Sequence, residues 1–183
     1  LRDRDTSTRD FKQLVGEIAT LMAYEVTKDL PTEPVEIDTP LERMTGTLVQ
    51  GRRVILVPIL RAGLGMVDGL IQLIPSARVG HIGLVRDEQT HAAHRYYFKL
   101  PSLDDASEFL ILDPMLATGG SAVKACAALK EAGARRIRFL ALVAAPAGVR
   151  LLGETHPDVP VYVAGLDREL NQNAYILPGL GDA

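Results

Sequence analysis

The sequence predicts an α/β domain, an open and mostly parallel sheet flanked by helices. Three observations carry the expectation. Five short runs are apolar almost without interruption: RVILVPIL (53–60), ARVGHIGLV (77–85), EFLILD (108–113), RIRFLALVAA (136–145) and VPVYVAG (159–165). Helical patterns stand between most of them, and strands that read as continuous apolar runs belong to sheets covered on both faces. The chain has 183 residues and carries no internal repeat, low-complexity tract or interdomain linker, so residues 1–183 read as a single domain.

The elements follow in order. Phe11, Leu14, Val15, Ile18, Leu21, Met22 and Val26 keep a 3.6-residue period, with Ser7 and Asp10 spaced as a capping box and Pro31 ending the pattern. This predicts an N-terminal amphipathic helix of about four or five turns. PTEPVEIDTP reads as irregular chain or an edge strand, because prolines do not serve a central ladder. GLGMVDGLIQLI follows the first apolar run as a helix. GGSAVKACAALKEAG follows the third and stops at Gly133, and AGVRLLGETH follows the fourth and stops before Pro157. The segment 86–105, RDEQTHAAHRYYFKLPSLDD, breaks the alternation: it is polar, holds three aromatics and has no helical period. A long insertion between strands is expected to act as a lid, with a solvent-facing hairpin as the alternative.

Composition narrows the function. There are 20 basic and 23 acidic side chains, a net charge of −3, which gives no reason to expect nucleic acid or an acidic membrane as partner. FLALVAAPAGV, the longest apolar stretch, is too short to span a bilayer. The single cysteine, Cys126, permits no intrachain bridge and no CxxC motif, and it is expected in the core. A cytoplasmic protein is the expectation.

The most informative stretch is FLILDPMLATGGSAVKACAAL (109–129). An apolar strand ends at Asp113, and Ala117-Thr118-Gly119-Gly120-Ser121 then opens a helix. Ligands in open α/β sheets sit beyond the carboxyl ends of strands. A helix N-terminus presents unpaired N–H groups and the positive end of a dipole, glycines admit close backbone approach, and hydroxyls add donors. This is the chemistry of a phosphate cradle. The acid before it suits sugar hydroxyls, so the pair points to a ribose phosphate. A Walker A loop is excluded, since Gly120 precedes Ser121 with no lysine between; GLGMVDG (63–69) fails as a dinucleotide fingerprint because Asp68 stands where a third glycine belongs. His91 and His94 lack a third metal ligand nearby, and RRIR (135–138) reads as a solvated turn.

On these residues the chain resembles the type I phosphoribosyltransferases. LILDPMLATGGSAV matches their ribose-phosphate signature, except that Pro114 replaces the second of two adjacent acids. That departure, with VPILRAGLGMVDG (57–69) and YILPGLGDA (175–183), is similar to the uracil-specific members of the family. The resemblance implies the type I phosphoribosyltransferase fold with a flexible lid, or hood, over about 86–105. It implies transfer of a phosphoribosyl group from 5-phospho-α-D-ribose 1-diphosphate (PRPP) to uracil, giving UMP and diphosphate in pyrimidine salvage. Members commonly extend a little beyond Leu1 and Ala183, so the native protein is expected to do so.

The site assignments come from the same resemblance. Asp113, Pro114, Met115, Leu116, Ala117, Thr118, Gly119, Gly120 and Ser121 are implied to hold PRPP, with Arg61, Arg86 and Asp182 as both PRPP-binding and catalytic residues. Ile176, Gly181, Asp182 and Ala183 are implied to meet uracil, largely through main-chain groups. Asp182 either stabilises positive charge on the sugar or binds metal-held water, the former being favoured. No metal is expected to be held directly by protein; Mg²⁺ is expected to arrive with PRPP, and GTP is an expected allosteric activator in some members. A homodimer or larger homo-oligomer is implied, with the N-terminal helix as an interface element. Two other readings compete. One is a phosphoribosyltransferase for a purine or for orotate, and orotate would need a cation near the base, which YILPGLGDA does not offer; the other, an RNA-binding regulator, would need a basic face.

Overall fold

The computed structural model describes residues 1–49, 54–86, 93–102 and 107–181. Along the chain lie α1 (Thr8–Thr27), β1 (Thr32–Asp38), β2 (Arg43–Val49), β3 (Val54–Leu60), α2 (Leu64–Leu73), β4 (Arg78–Val79), β5 (His81–Arg86) and β6 (Ala93–Lys99). They continue with β7 (Glu108–Leu112), β8 (Met115–Leu116), α3 (Gly120–Glu131), β9 (Arg136–Ala144), α4 (Pro146–Thr155), β10 (Val161–Leu166), β11 (Glu169–Leu170) and β12 (Ile176–Leu177). The main sheet has the order β10-β9-β7-β3-β5-β6, with β4 beside β3 and β8 beside β9. Every described pairing in it is parallel except β5–β6.

The apolar runs owe their continuity to burial on both faces. Successive side chains of a strand point to opposite sides. Ile55, Val57 and Ile59 of β3, Phe109 and Ile111 of β7, and Phe139 and Ala141 of β9 pack with α3 and α4 residues such as Ala125, Leu129 and Leu152. The intervening Leu56, Leu110, Leu112, Leu140 and Leu142 pack instead with Val15, Ala19 and Val26 of α1 and Met66 and Leu70 of α2. The two helices on that second face approach closely: a Cβ on Gly69 would lie 2.2 Å from the Gly16 carbonyl oxygen. Thr20 Oγ1 spans the contact through Gly16 O at 3.0 Å and Gly69 O at 2.9 Å. Gly69, part of the rejected dinucleotide pattern, therefore has a packing reason.

Local signals hold at α1, where Ser7 Oγ accepts from the Asp10 N–H at 3.1 Å, and at α3, where Gly133 takes φ +97° just past the helix end. Two differences from the sequence reading emerge, at 32–38 and at RRIR, and between them stands a strand in the segment read as a lid or hairpin. Residues 32–38 do form a strand, but it belongs to a separate antiparallel ribbon with β2, which the sequence reading passed over. The described part of 86–105 includes β6, antiparallel to β5, so its backbone is that of a hairpin strand. RRIR is not simply a solvated turn: Arg138 Nη1 donates to Val26 O at 2.8 Å and Asp29 Oδ1 at 2.5 Å, and the guanidinium also pairs with Glu108 at 3.5 Å. Cys126 is fully buried as expected, and burial pushes its thiol up to about 12, which makes it a packing residue. No helix among the described residues is long and apolar enough to cross a membrane.

Candidate active site

From β3 the chain steps one way to β5, while β7, β9 and β10 build outward on the other side. The crevice where the direction reverses is the favoured ligand position in such sheets. It lies beyond the ends of β3 and β7, which run in register to Pro58 opposite Leu112. The turn after β3 carries Arg61, and the turn after β7 carries Asp113. These turns touch, because a Cβ on Gly63 would fall 2.3 Å from the Leu112 carbonyl oxygen. Glycine is what lets the two pack back to back.

The segment 113–121 forms the wall of a cavity of about 160 Å³, lined by Asp113, Met115 through Ser121, and Ala122. Its shape is fixed by β9. Asp113 N–H donates to Leu140 O, and Pro114 O accepts from both Leu142 N and Val143 N at 3.0 and 3.1 Å. Proline suits this position, since its carbonyl serves two donors and it has no N–H to satisfy. Met115 and Leu116 then pair with Val143 and Ala144 as β8. Gly119 turns the chain into α3 at φ +89°, a backbone conformation that disfavours other residues. The first intrahelical bond runs from Val123 N to Gly119 O at 2.9 Å, which leaves the N–H groups of Gly120, Ser121 and Ala122 without a helical acceptor.

A second element presses on this loop. Gly148, in the first turn of α4, packs so closely that a Cβ there would lie 2.5 Å from Ala117 O and 2.8 Å from Leu116 O. Gly119 is tight from the other side, where a Cβ would meet Gly148 O at 3.0 Å. Asp113 opens onto the cavity but is otherwise enclosed by protein, and burial pushes its carboxyl up to about 7 against the opposing effect of the Met115 N–H.

The structure brings several predicted residues together. Arg61 is exposed, and its carbonyl accepts from the Leu64 N–H at 3.2 Å. The C-terminal segment meets the cradle through a small apolar cluster in which Ile176 packs with Val143, Ala145, Met115, Ala117 and Leu180. The turn after Ile176 is tight: Leu177–Pro178 is cis, and Gly179 and Gly181 have φ +65° and +85°. Arg86 closes β5 opposite Ala93, and its side chain lies outside the described residues, as do His91, Asp182 and Ala183. His94 is exposed on β6. Two further residues escaped the sequence reading. Arg2 and Asp167 form a bidentate ion pair at 2.8 and 2.6 Å beside Gly179, and a contact between positions so far apart in sequence leaves no local signal.

The sheet order, the crevice and the glycine turn at the end of β7 define a phosphoribosyltransferase fold. A solved purine phosphoribosyltransferase from Pyrococcus horikoshii shares it at TM-score 0.59 and 14% identity, covering 85% of each chain. The chain belongs to the uracil phosphoribosyltransferase family, whose profile matches residues 1–183. It is 55% identical to the uracil phosphoribosyltransferase of Geobacillus kaustophilus over all of this chain and 88% of that protein. A solved protein of Aquifex aeolicus superposes with TM-score 0.93 at 35% identity, covering 99% of this chain and 86% of the other.

Proposed function

We propose that the cradle at 113–121 holds the ribose 5-phosphate of PRPP while uracil meets the turn beginning at Ile176, and that the enzyme joins them to give UMP and diphosphate. The observation that carries this is the cavity at the sheet's reversal point, walled by one unbroken segment with an acid at one end and open helix N–H groups at the other. The bond from C1′ to the diphosphate oxygen breaks, the bond from C1′ to N1 of uracil forms, and N1 loses its proton. Charge on C1′ makes the sugar oxocarbenium-like.

Each group has one task. Main-chain N–H groups of Gly120, Ser121 and Ala122 and the hydroxyls of Thr118 and Ser121 bind the 5′-phosphate, and Asp113 accepts from the ribose hydroxyls. Asp113 does so best when ionised, so binding strengthens as pH rises through about 7. Arg61 has a guanidinium fork suited to diphosphate oxygens, and Arg86 is assigned the same partner. Main-chain groups of Ile176, Gly181 and Ala183 are assigned to the edge of uracil, and Asp182 is assigned the stabilisation of charge developing at C1′. The hairpin strand β6 forms part of a lid that excludes water from the reacting centre.

The donors around the cradle fit a cation that arrives already bound by diphosphate. Asp113 is the one carboxylate among the described residues that line it, and a single carboxylate beside substrate phosphates is a setting Mg²⁺ commonly takes. Mg²⁺ so delivered would supply positive charge to the departing diphosphate. The same reading takes GTP as an activator, a cytoplasmic location, and a homo-oligomer in which exposed Leu21 and Tyr24 of α1 are covered by a second copy.

The test offers uracil, cytosine, orotate and hypoxanthine separately with PRPP and Mg²⁺, with and without GTP. UMP from uracil alone is expected. In Arg61→Ala, kcat/KM for PRPP should fall by on the order of a hundredfold with an unchanged melting temperature, because the side chain is exposed. Absence of UMP under every condition refutes the reading.

A further inference from the structure

We propose that Arg2 and Asp167 are positioning residues for uracil recognition, a guanidinium–carboxylate clip that holds the 176–181 turn in the shape the base meets. The proposal rests on the placement of the base at that turn given above.

Asp167 follows β10 and is buried, with only 8% of its surface exposed. Its carboxylate accepts from Arg2 Nη1 at 2.8 Å, from Arg2 Nη2 at 2.6 Å and from the Gly179 N–H at 2.9 Å. Arg2 Nη1 also donates to Gly179 O at 3.0 Å. Both main-chain polar groups of Gly179 are therefore consumed by the clip, which leaves Ile176 and the residues after Gly179 to face a base. The turn has no room to adjust: a Cβ on Gly179 would lie 2.1 Å from Ile176 O. The clip is itself braced. Asp167 N–H donates to Ala144 O at 2.8 Å, at the end of β9, and Arg168 N–H donates to Leu177 O at 3.1 Å. Arg2 lies against β10, where a Cβ on Gly165 would come within 3.2 Å of its Nη2. The Arg2 guanidinium holds the Asp167 carboxyl below the usual carboxylate range, so the pair stays charged at neutral pH.

A merely structural tie would lower stability or disturb both substrates alike. A positioning role separates them. In the full chain, Arg2→Met should raise KM for uracil by about tenfold, since a charge-assisted contact to the turn is lost, while KM for PRPP stays within about twofold. Arg2→Lys should recover only part of the effect, because an ammonium cannot reproduce the fork. Should Arg2→Met fail to fold, Asp167→Asn keeps the shape and the acceptor for Gly179 but removes the charge, and it should show the same split. Equal rises in both KM values, or lost stability with an unchanged uracil KM, would overturn the proposal. Gly179→Ala separates the two layers of argument. If it raises the uracil KM and the Arg2 and Asp167 variants do not, the base site stands and the clip is refuted. If Gly179→Ala leaves that KM unchanged, the base does not meet this turn and both fail.

Discussion

The two halves of the proposed site are built by opposite means. The phosphate cradle is one continuous segment, strand to turn to helix, whose shape comes from neighbours in sequence and from pairing with β9. The turn at 176–181 has almost no regular structure of its own beyond the two-residue strand β12. It is held instead by a carboxylate after β10 and a guanidinium near the other end of the chain. A site for a phosphate, a common chemical group, can be carried by a local motif. The recognition of one base edge proposed for this turn demands a placement that distant residues supply.

The comparison can be broken first at the cradle. Gly148→Val sets a branched side chain where even a Cβ lies 2.5 Å from Ala117 O. Overpacking of this kind costs about 1–3 kcal/mol, and a displaced phosphate site should raise KM for PRPP by on the order of a hundredfold. Calorimetry and initial-rate kinetics read the two effects, and the uracil KM should move far less. If both KM values move together, the halves are mechanically one.

A smaller effect concerns charge. The Asp113 carboxyl is raised from an unfolded value of 3.8 to about 7. The folded state thus binds the extra proton between those values, and that contribution to stability is present below pH 4 and lost as pH rises through about 7. Asp113→Asn should flatten this part of the stability curve, measured by denaturant titration across pH. It should also abolish the gain in PRPP affinity above pH 7. A slope that survives the substitution would assign it to another group.

Smallest of all, Ser7→Ala removes the cap of α1 at a cost of about 1 kcal/mol. The melting temperature should fall by a few degrees with PRPP binding intact, and any change should appear in the uracil KM, since Arg2 lies just ahead of this cap. This would sharpen the contrast between the halves.

What sequence reveals follows the same division. The apolar runs at 54–60, 108–112 and 136–144 declared the buried strands because both faces of each are covered. Asp113 to Ser121 stood out because its candidate chemistry is contiguous, and all of it but Pro114 lines the cavity. Strand β2 gave no such signal, for its side chains are mostly exposed and alternate weakly. Gly148 looked like any helical glycine until α4 was laid on the loop. Arg2 and Asp167 were invisible, being ordinary charges until the fold sets them 2.6 Å apart.

The Arg2–Gly179 hydrogen bond joins residues 177 positions apart, and this sets an order of assembly on the ribosome. By the time α4 has emerged, β3, β7 and β8 have all their sheet partners, and β9 lacks only β10. The clip stays incomplete until Asp167, and then Gly179, leave the exit tunnel. Closing so long a loop adds little entropy beyond a shorter one, but it cannot begin early. The nascent chain therefore acquires the cavity at 113–121 before it acquires the turn at 176–181.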